Sequence, residues 1–247
     1  MTPEINKKFA ELKSINGADS LERVEAMLNP LLAKREPLQA GAKFIVPGLS
    51  TTPWLDIKDY PAIHPLVSRL EKEAANIKRE VNDAINGQSE LIGQYKHYLG
   101  QQSNWDALYL FQKGAQVEQA QYQVPVTWDI FQNELRDWHC PLLEVHFSVL
   151  KGGAIIKPHC DLWNFTINLH LAVEIPDNCE LVVANEPRNW DEGRCLLFDY
   201  SYEHSAYNHS DKKRICLLMD IWHPDLSMAE REALTFLVRA VRQLMGE

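Results

Sequence analysis

Between residues 142 and 222 apolar and polar positions alternate in short runs separated by turn residues: LLEVHFSVL, AIIKPH, WNFTINLHLAVEI, CELVVAN, GRCLLFD, YEHSAYN and RICLLMDIW. Seven extended runs with no helical stretch between them predict an antiparallel barrel or sandwich. Along Thr166 to Ile175 the period of two puts Thr166, Asn168 and His170 on one face and Ile167, Leu169, Leu171, Val173 and Ile175 on the other. An ordinary half-buried sheet would turn the polar row outward. A barrel with a reactive cavity would turn it inward and cover the apolar row with a helix or second sheet.

Helical periodicity flanks this region. Leu21, Val24, Leu28 and Leu31 predict an amphipathic helix between Asp19 and Arg35, with Asp19 and Glu22 as its capping pattern and Pro30 as a break near its end. From Arg35 to Trp54 the chain carries Pro37, Gly41, Pro47, Gly48 and Pro53, the composition of a loop, with one extended piece at Lys43 to Val46. Leu66, Leu70, Ala74, Ile77, Val81 and Ile85 recur at steps of three and four, so a second helix presents one apolar face that must pack on something. A closing helix follows Ser227, with Glu230 completing a capping box and Leu234, Leu237, Val241 and Leu244 on one face. The expected organisation is an N-terminal helical segment over residues 1–40 and a main domain over 41–247. That domain comprises helical support at about 60–90, a β-barrel at about 142–224 and a helix at about 227–245. The expected class is a mainly β core with flanking helices.

Charge and composition narrow the partners. The 34 acidic against 25 basic residues leave a formal charge of -9, which argues against a nucleic-acid groove or an anionic membrane surface and for a small-molecule, peptide or protein substrate. No apolar run approaches the roughly 20 residues that span a bilayer, and MTPEINKKFAELK lacks the apolar centre of a signal peptide. The expectation is a cytoplasmic protein. Cys140, Cys160, Cys179, Cys195 and Cys216 are odd in number and form no CxxC pair, so reduced thiols are expected.

The stretch KPHCD, residues 157–161, carries the first candidate chemistry. In an extended strand residues i and i+2 share a side, so His159 and Asp161 aim an imidazole and a carboxylate into one space. Taken alone the pair is a weak signal, since most such pairs are solvated or hydrogen-bonded strand residues. His204, two or three strands on, would complete a two-histidine, one-carboxylate set, which binds ferrous iron on one face and leaves the other open. Arg214 opens the last predicted strand, and a fixed cation inside a barrel demands an anion; a dicarboxylate would supply one. His64, His97, His139, His146, His209 and His223 have no partner at ligand spacing and read as surface or satisfied core residues, His223 shaping the WHPDL turn. Trp163 and Trp222 read first as core, with a place in the cavity wall as the alternative. Asp220 is open between a supporting role in the site and an outward polar position, and Glu186 to Glu192 read as a solvated loop without chemistry.

From about Phe44 onward the chain resembles the aspartyl/asparaginyl β-hydroxylase family of iron(II)- and 2-oxoglutarate-dependent oxygenases. The likeness rests on the order IVPGLSTTPW, WDALYLFQKG, PHCD, HLAVEIP, VANEPRNWDEGRCLLFDYSYEH, Arg214 and WHPDL. It implies a double-stranded β-helix (jelly roll, cupin-like) in which His159 and His204 are iron ligands. It further implies that Arg214 clamps the distal carboxylate of 2-oxoglutarate, assisted by Ser148 and His170, with O2 as the other cosubstrate. The animal member that modifies epidermal-growth-factor-like domains lacks an acidic ligand at the position of Asp161, whereas many bacterial relatives carry Asp there, so a full triad is implied. That same animal enzyme has an arginine where this chain has Asn168, which puts its acidic substrate in question here. The implied reaction hydroxylates an unactivated carbon, foremost the β-carbon of an Asp or Asn residue or another amino-acid-type substrate. A lipid acyl chain is the alternative within the family, and a cupin-like binding module without turnover is the alternative outside it.

Overall fold

The computed structural model describes residues 2–29, 35–49, 52–95 and 104–245. Two helices open the chain, α1 (Pro3–Asn16) and α2 (Glu22–Met27); the short strand β1 (Trp54–Leu55) and the long helix α3 (His64–Asn86) follow. Strands β2 (Ile92–Gln94), β3 (Trp105–Gln112) and β4 (Ala115–Gln116) lead into the short helices α4 (Ala120–Gln123) and α5 (Pro125–Asn133). Eight strands then run without an intervening helix. They are β5 (Val145–Leu150), β6 (Ile155–His159), β7 (Thr166–Glu174), β8 (Cys179–Val183), β9 (Glu186–Arg188), β10 (Cys195–Phe198), β11 (His204–Asn208) and β12 (Arg214–Trp222). Helix α6 (Met228–Met245) closes the chain.

The larger sheet has the order β1-β10-β7-β12-β5-β3-β2 with β4 beside β3, and the smaller has the order β6-β11-β8-β9. From β5 to β12 the chain passes from one sheet to the other at every connection except the β8–β9 hairpin. That alternation, with antiparallel pairing throughout, is the double-stranded β-helix of a jelly roll. The hairpin turns on Ala184 and Asn185, whose φ angles of 50° and 65° are those of a two-residue turn matched to strand twist.

The polar row of β7 points inward. Ile167, Leu169, Leu171 and Val173 pack outward against Leu66, Leu70, Ile77 and Val81 of α3, forming the main apolar core. Each such side chain contributes roughly 1.5–3 kcal/mol on burial, enough to fix which face of the sheet the helix covers. All seven runs read between residues 142 and 222 are strands. Residues 186–188 form a strand as well, where a solvated loop was expected, because the hairpin turn folds them back on β8.

The N-terminal part differs from the expectation. Within the expected helical segment 1–40, helix α1 forms ahead of the one helix read there, started by Thr2, whose side chain accepts from the Ile5 N–H, and by Pro3; it buries Ile5, Phe9 and Leu12 in a second core shared with α6. Of the helix expected from Asp19 to Arg35, only Glu22–Met27 is helical among the described residues. Leu21, not Asp19, stands at its start without a side-chain cap. Pro30 and Leu31 lie outside the described residues. Lys43 to Val46 make one isolated bridge, Phe44 to Trp163, rather than a strand.

The Ser227–Glu230 box forms in full: the Glu230 N–H donates to Ser227 Oγ at 3.2 Å and the Ser227 N–H to Glu230 Oε2 at 2.8 Å. Glu230 also takes both arms of Arg23 from α2, at 2.8 and 2.7 Å. Leu234 and Leu237 are buried as expected, and the side chains of Val241 and Leu244 lie outside those described. All five cysteines are free thiols. No helix among the described residues is long and apolar enough to cross a membrane.

Candidate metal centre and its cavity

Strand β6 ends at His159, and β11 begins at His204 directly opposite it in the antiparallel register. The register sets the two imidazoles 4.0 Å apart between ring centres. Two residues beyond His159, the Asp161 N–H donates to the Tyr200 carbonyl at 2.9 Å, which turns the Asp161 carboxylate toward the histidines. Its Oδ2 lies 4.0 Å from His159 Nε2 and 3.6 Å from His204 Nε2. One donor atom from each of the three residues lies within 4.8 Å of the others, the only such group among the described residues.

The imidazole tautomers follow from the backbone. His159 Nδ1 is 2.8 Å from the Lys157 carbonyl and His204 Nδ1 is 2.9 Å from the Tyr202 carbonyl. A carbonyl only accepts, so each Nδ1 carries the proton and each Nε2 keeps a lone pair on the Asp161 side. Asp161 is the most open of the three, with 37% of its side chain exposed against 13% and 10% for the histidines. Withdrawal from water, and then the charge of Glu144, raise its carboxyl to about 7. The exposure tempers that rise, and a divalent cation held by the imidazoles would favour the carboxylate. The donor set thus fits a divalent metal with three protein ligands on one face.

The loop before β1 braces this corner. The Leu38 carbonyl accepts from the Glu203 N–H at 2.6 Å, next to His204, and from the Cys160 thiol at 3.6 Å, between His159 and Asp161. Gly41 is required there, since a Cβ would stand 2.7 Å from Cys160 Cβ.

His159, Asp161, His204, Arg214, Ser148 and His170 all line one cavity of about 800 Å³ between the sheets. Arg214 is 2% exposed. Its guanidinium lies 5.0 Å from the centre of the Trp190 ring and beside the Cys216 thiol, its Nε has no hydrogen-bond partner, and no carboxylate pairs with it among the described residues. A buried charge in that state calls for an anion from outside the chain. A dicarboxylate fits this demand by chemistry, as the metal fits the triad.

Ser148 lies opposite Cys216 on the neighbouring strand and accepts from Trp105 Nε1 at 2.9 Å. His170 Nδ1 accepts from Trp190 Nε1 at 3.3 Å, so its Nε2 carries the proton and donates to Asn168 Oδ1 at 3.3 Å. Asn168 Nδ2 in turn donates to Asp220 Oδ1 at 2.5 Å. Burial first, and then Arg214, hold His170 well below the usual histidine range, so the ring is neutral.

Two residues that sequence reasoning passed over belong to this cavity, and two that it left open are settled there. His146, read as an ordinary histidine, is buried in the wall and faces the same way as Ser148 two residues on. That i, i+2 relation was the available signal. Trp190, read as part of a loop without chemistry, lies under Arg214 and donates to His170. Asp220 proves to be an inward partner of Asn168, and Trp163 satisfies both of its readings, packing in the core while also lining the cavity. Trp222 is core, and His223 Nδ1 accepts from the Asp225 N–H within its turn as expected. His97 lies outside the described residues.

A jelly roll that gathers two imidazoles and a carboxylate at one point inside its barrel defines a candidate mononuclear metal protein. Residues 71–224 match the family described as Aspartyl/Asparaginyl beta-hydroxylase, and the chain belongs to that family. It is 31% identical over 242 residues to the human "Aspartate beta-hydroxylase domain-containing protein 2", covering 94% of this chain and 63% of that protein. It is 28% identical over 190 residues to the human "Aspartyl/asparaginyl beta-hydroxylase", covering 76% of this chain and 25% of that protein. The chain therefore spans less than two thirds of the length of either relative. Among solved structures it resembles a prolyl-4-hydroxylase of Pseudomonas putida at 12% identity and a TM-score of 0.40, covering 64% of this chain and 98% of that one.

Proposed function

We propose that this protein is an iron(II)- and 2-oxoglutarate-dependent hydroxylase acting on an unactivated carbon, foremost the β-carbon, of an Asp, Asn or other amino-acid-type substrate. The observation that carries the reading is the buried, unpaired Arg214 in the same cavity as the His159, Asp161 and His204 donors. Such a guanidinium suits a bound dicarboxylate, and a simple metal-binding barrel has no use for it.

Iron bound with 2-oxoglutarate and O2 supplies the oxidising power to replace a C–H bond with C–OH while the cosubstrate loses CO2 and becomes succinate. The chain's own contribution is positioning. His159, Asp161 and His204 hold the metal on one face, Arg214 fixes the far carboxylate of the cosubstrate, and Ser148 and His170 line its bed. The neutral state of His170 makes it a hydrogen-bonding wall with no competing charge. Trp105, Trp190 and Phe198 give the cavity an apolar wall.

Anaerobic titration of iron(II) and then 2-oxoglutarate tests the reading through the visible metal-to-ligand charge-transfer band. The expected result is a band in the wild type that is weakened in both His159→Ala and Arg214→Ala. A folded, metal-loaded wild type that shows no band overturns the oxygenase reading in favour of a binding module.

A further inference from the structure

Strand β12 carries a guanidinium at one end of its cavity face and a carboxylate at the other. Arg214 and Asp220 are six residues apart on the same side, roughly 20 Å along the strand at about 3.3 Å per residue. Asp220 is not alone: the Glu144 N–H donates to Asp220 Oδ2 at 3.1 Å, and the Glu144 side chain lines the same cavity. Tyr95 donates to Glu144 Oε2 at 3.2 Å and stacks on Trp105 and His146, which fixes the carboxylate in place.

Neither Glu144 nor Asp220 pairs with a lysine or arginine among the described residues; Lys113 and Arg242 line the same cavity and favour the Glu144 carboxylate from beyond ion-pair distance. The groups already assigned do not compensate them. A divalent metal, the 2-oxoglutarate dianion, Asp161 and Arg214 sum to no net charge. Lys113 and Arg242 act only from a distance, and burial followed by the charge of Glu144 raises the Asp220 carboxyl well above its usual range, so Asp220 favours its neutral form until a cation joins it.

An independent observation points to a missing ligand. His146, 1% exposed, has no hydrogen-bond partner at either ring nitrogen, and its Nδ1 lies 3.5 Å from Glu144 Oε2. Burial and Arg214 push this ring down to about 3, so it stays neutral and one nitrogen is an acceptor. Glu144 and Asp220 keep lone pairs beyond the Tyr95, Asn168 and backbone donors they already meet, and the acceptor nitrogen of His146 beside them meets no donor at all. A metal ion does not suit the place, because Glu144, His146 and Asp220 do not bring their ligand atoms within 4.8 Å of one another. A larger cation with several N–H donors does. Leu218 lines the floor between the two charged ends, which suits an aliphatic stem.

We propose that Glu144, His146 and Asp220 form a subsite for a primary ammonium group carried by the substrate, at the end of the cavity opposite Arg214. The proposal rests on the hydroxylase reading for the position of the cosubstrate, and it narrows the substrate to amino compounds with an aliphatic chain. A side-chain carboxylate, as on a peptidyl aspartate, would meet like charge there.

Calorimetric titration of the zinc-loaded, 2-oxoglutarate-bound protein, which cannot turn over, tests it with three probes. N-acetyl-L-lysine amide offers only a side-chain ammonium, L-norleucine amide only an α-ammonium, and N-acetyl-L-norleucine amide neither. At least one ammonium probe is expected to bind roughly tenfold or more tightly than the neutral probe, and which one identifies the source of the charge. Glu144→Gln, which keeps an oxygen for Tyr95, is expected to erase that preference; Asp220→Asn serves as a second variant. Equal binding of all three probes, no binding of any, or a preference that survives Glu144→Gln overturns the subsite. Binding of 2-oxoglutarate, measured first, reports separately on the hydroxylase reading. If it fails, the same three probes titrated into the zinc-loaded protein alone still decide the subsite by the same criteria.

Discussion

Replacing Arg214 by methionine separates what this residue does for the ligand from what it does to the fold. In the ligand-free protein a guanidinium that is 2% exposed has no carboxylate partner among the described residues, a state that costs several kcal/mol. The Trp190 face, 5.0 Å away, returns about 1–2 kcal/mol. Methionine fills much of the same volume without the charge, so Arg214→Met is expected to stabilise the free protein by about 1–3 kcal/mol. At roughly 2–4 °C per kcal/mol for a chain of this size, the melting midpoint should rise by about 2–12 °C. The ligand response should invert that order. At a hundredfold excess over Kd, 2-oxoglutarate adds about 2.7 kcal/mol to the wild type. The variant, without its charge-assisted bonds, should bind at least about a hundredfold more weakly and gain almost nothing. Thermal melts of zinc-loaded wild type and variant, with and without 2-oxoglutarate, read all four corners. A variant that melts below the wild type without ligand, yet responds to 2-oxoglutarate as strongly, refutes both the unpaired charge and the clamp.

Three further outcomes follow from buried polar groups. Glu230→Gln removes the carboxylate that joins Arg23 to the capping box of α6, and urea unfolding should show a loss of about 2–4 kcal/mol with an unchanged slope. Asp199 is buried, and desolvation raises its carboxyl to about 7 against an ordinary 3.8, despite the Ser201 N–H that it accepts. The folded state then binds a proton that the unfolded state has lost. This contribution to stability is full below about 3.8 and disappears as pH rises to about 7; Asp199→Asn should flatten the pH profile in that window by about 2–4 kcal/mol, read from urea midpoints. Trp190→Phe keeps a ring beneath Arg214 but removes the donor to His170, and calorimetric melting should show a loss of about 1 kcal/mol with weaker 2-oxoglutarate binding.

The strands from β5 to β12 were legible because turn residues punctuate them and each keeps the period of two, and His159 and Asp161 were legible because that period puts them on one side. Strand β3 escaped such reading: its burial breaks the alternation, and a register shift between Tyr109 and Phe111 interrupts its pairing with β5. Helix α1 is too short and too polar overall to stand out, and it gains its apolar partner only when α6 docks on it. The site divides in the same way. Leu218 of β12 sits between His146 of β5 and His170 of β7, a neighbourhood created by cross-strand register that spacing along one chain does not encode. The pairing of His204 with His159 is a product of register too, so their joint role was reached from the all-β frame and from family resemblance.

The unequal covering of the two sheets explains where the chemistry lies. Helices α3 and α5 seal the outer face of the larger sheet, so β5, β7 and most of β12 are buried on both faces. Polar side chains on those strands have nowhere to point but the interior, and Ser148, Asn168, His170, Arg214 and Asp220 are all found there. Among the described residues no helix covers the smaller sheet in this way: β8 alternates between buried and half-buried positions, and β9 is exposed. Its inner face meets the larger sheet's polar row across the cavity, and the His159–His204 pair stands where β6 and β11 reach that space. The division of labour follows from the covering. The wall that helices cover carries the groups proposed to hold a cosubstrate and an ammonium, while the candidate metal donors come from the open sheet and from Asp161 just beyond it, the most exposed of the three.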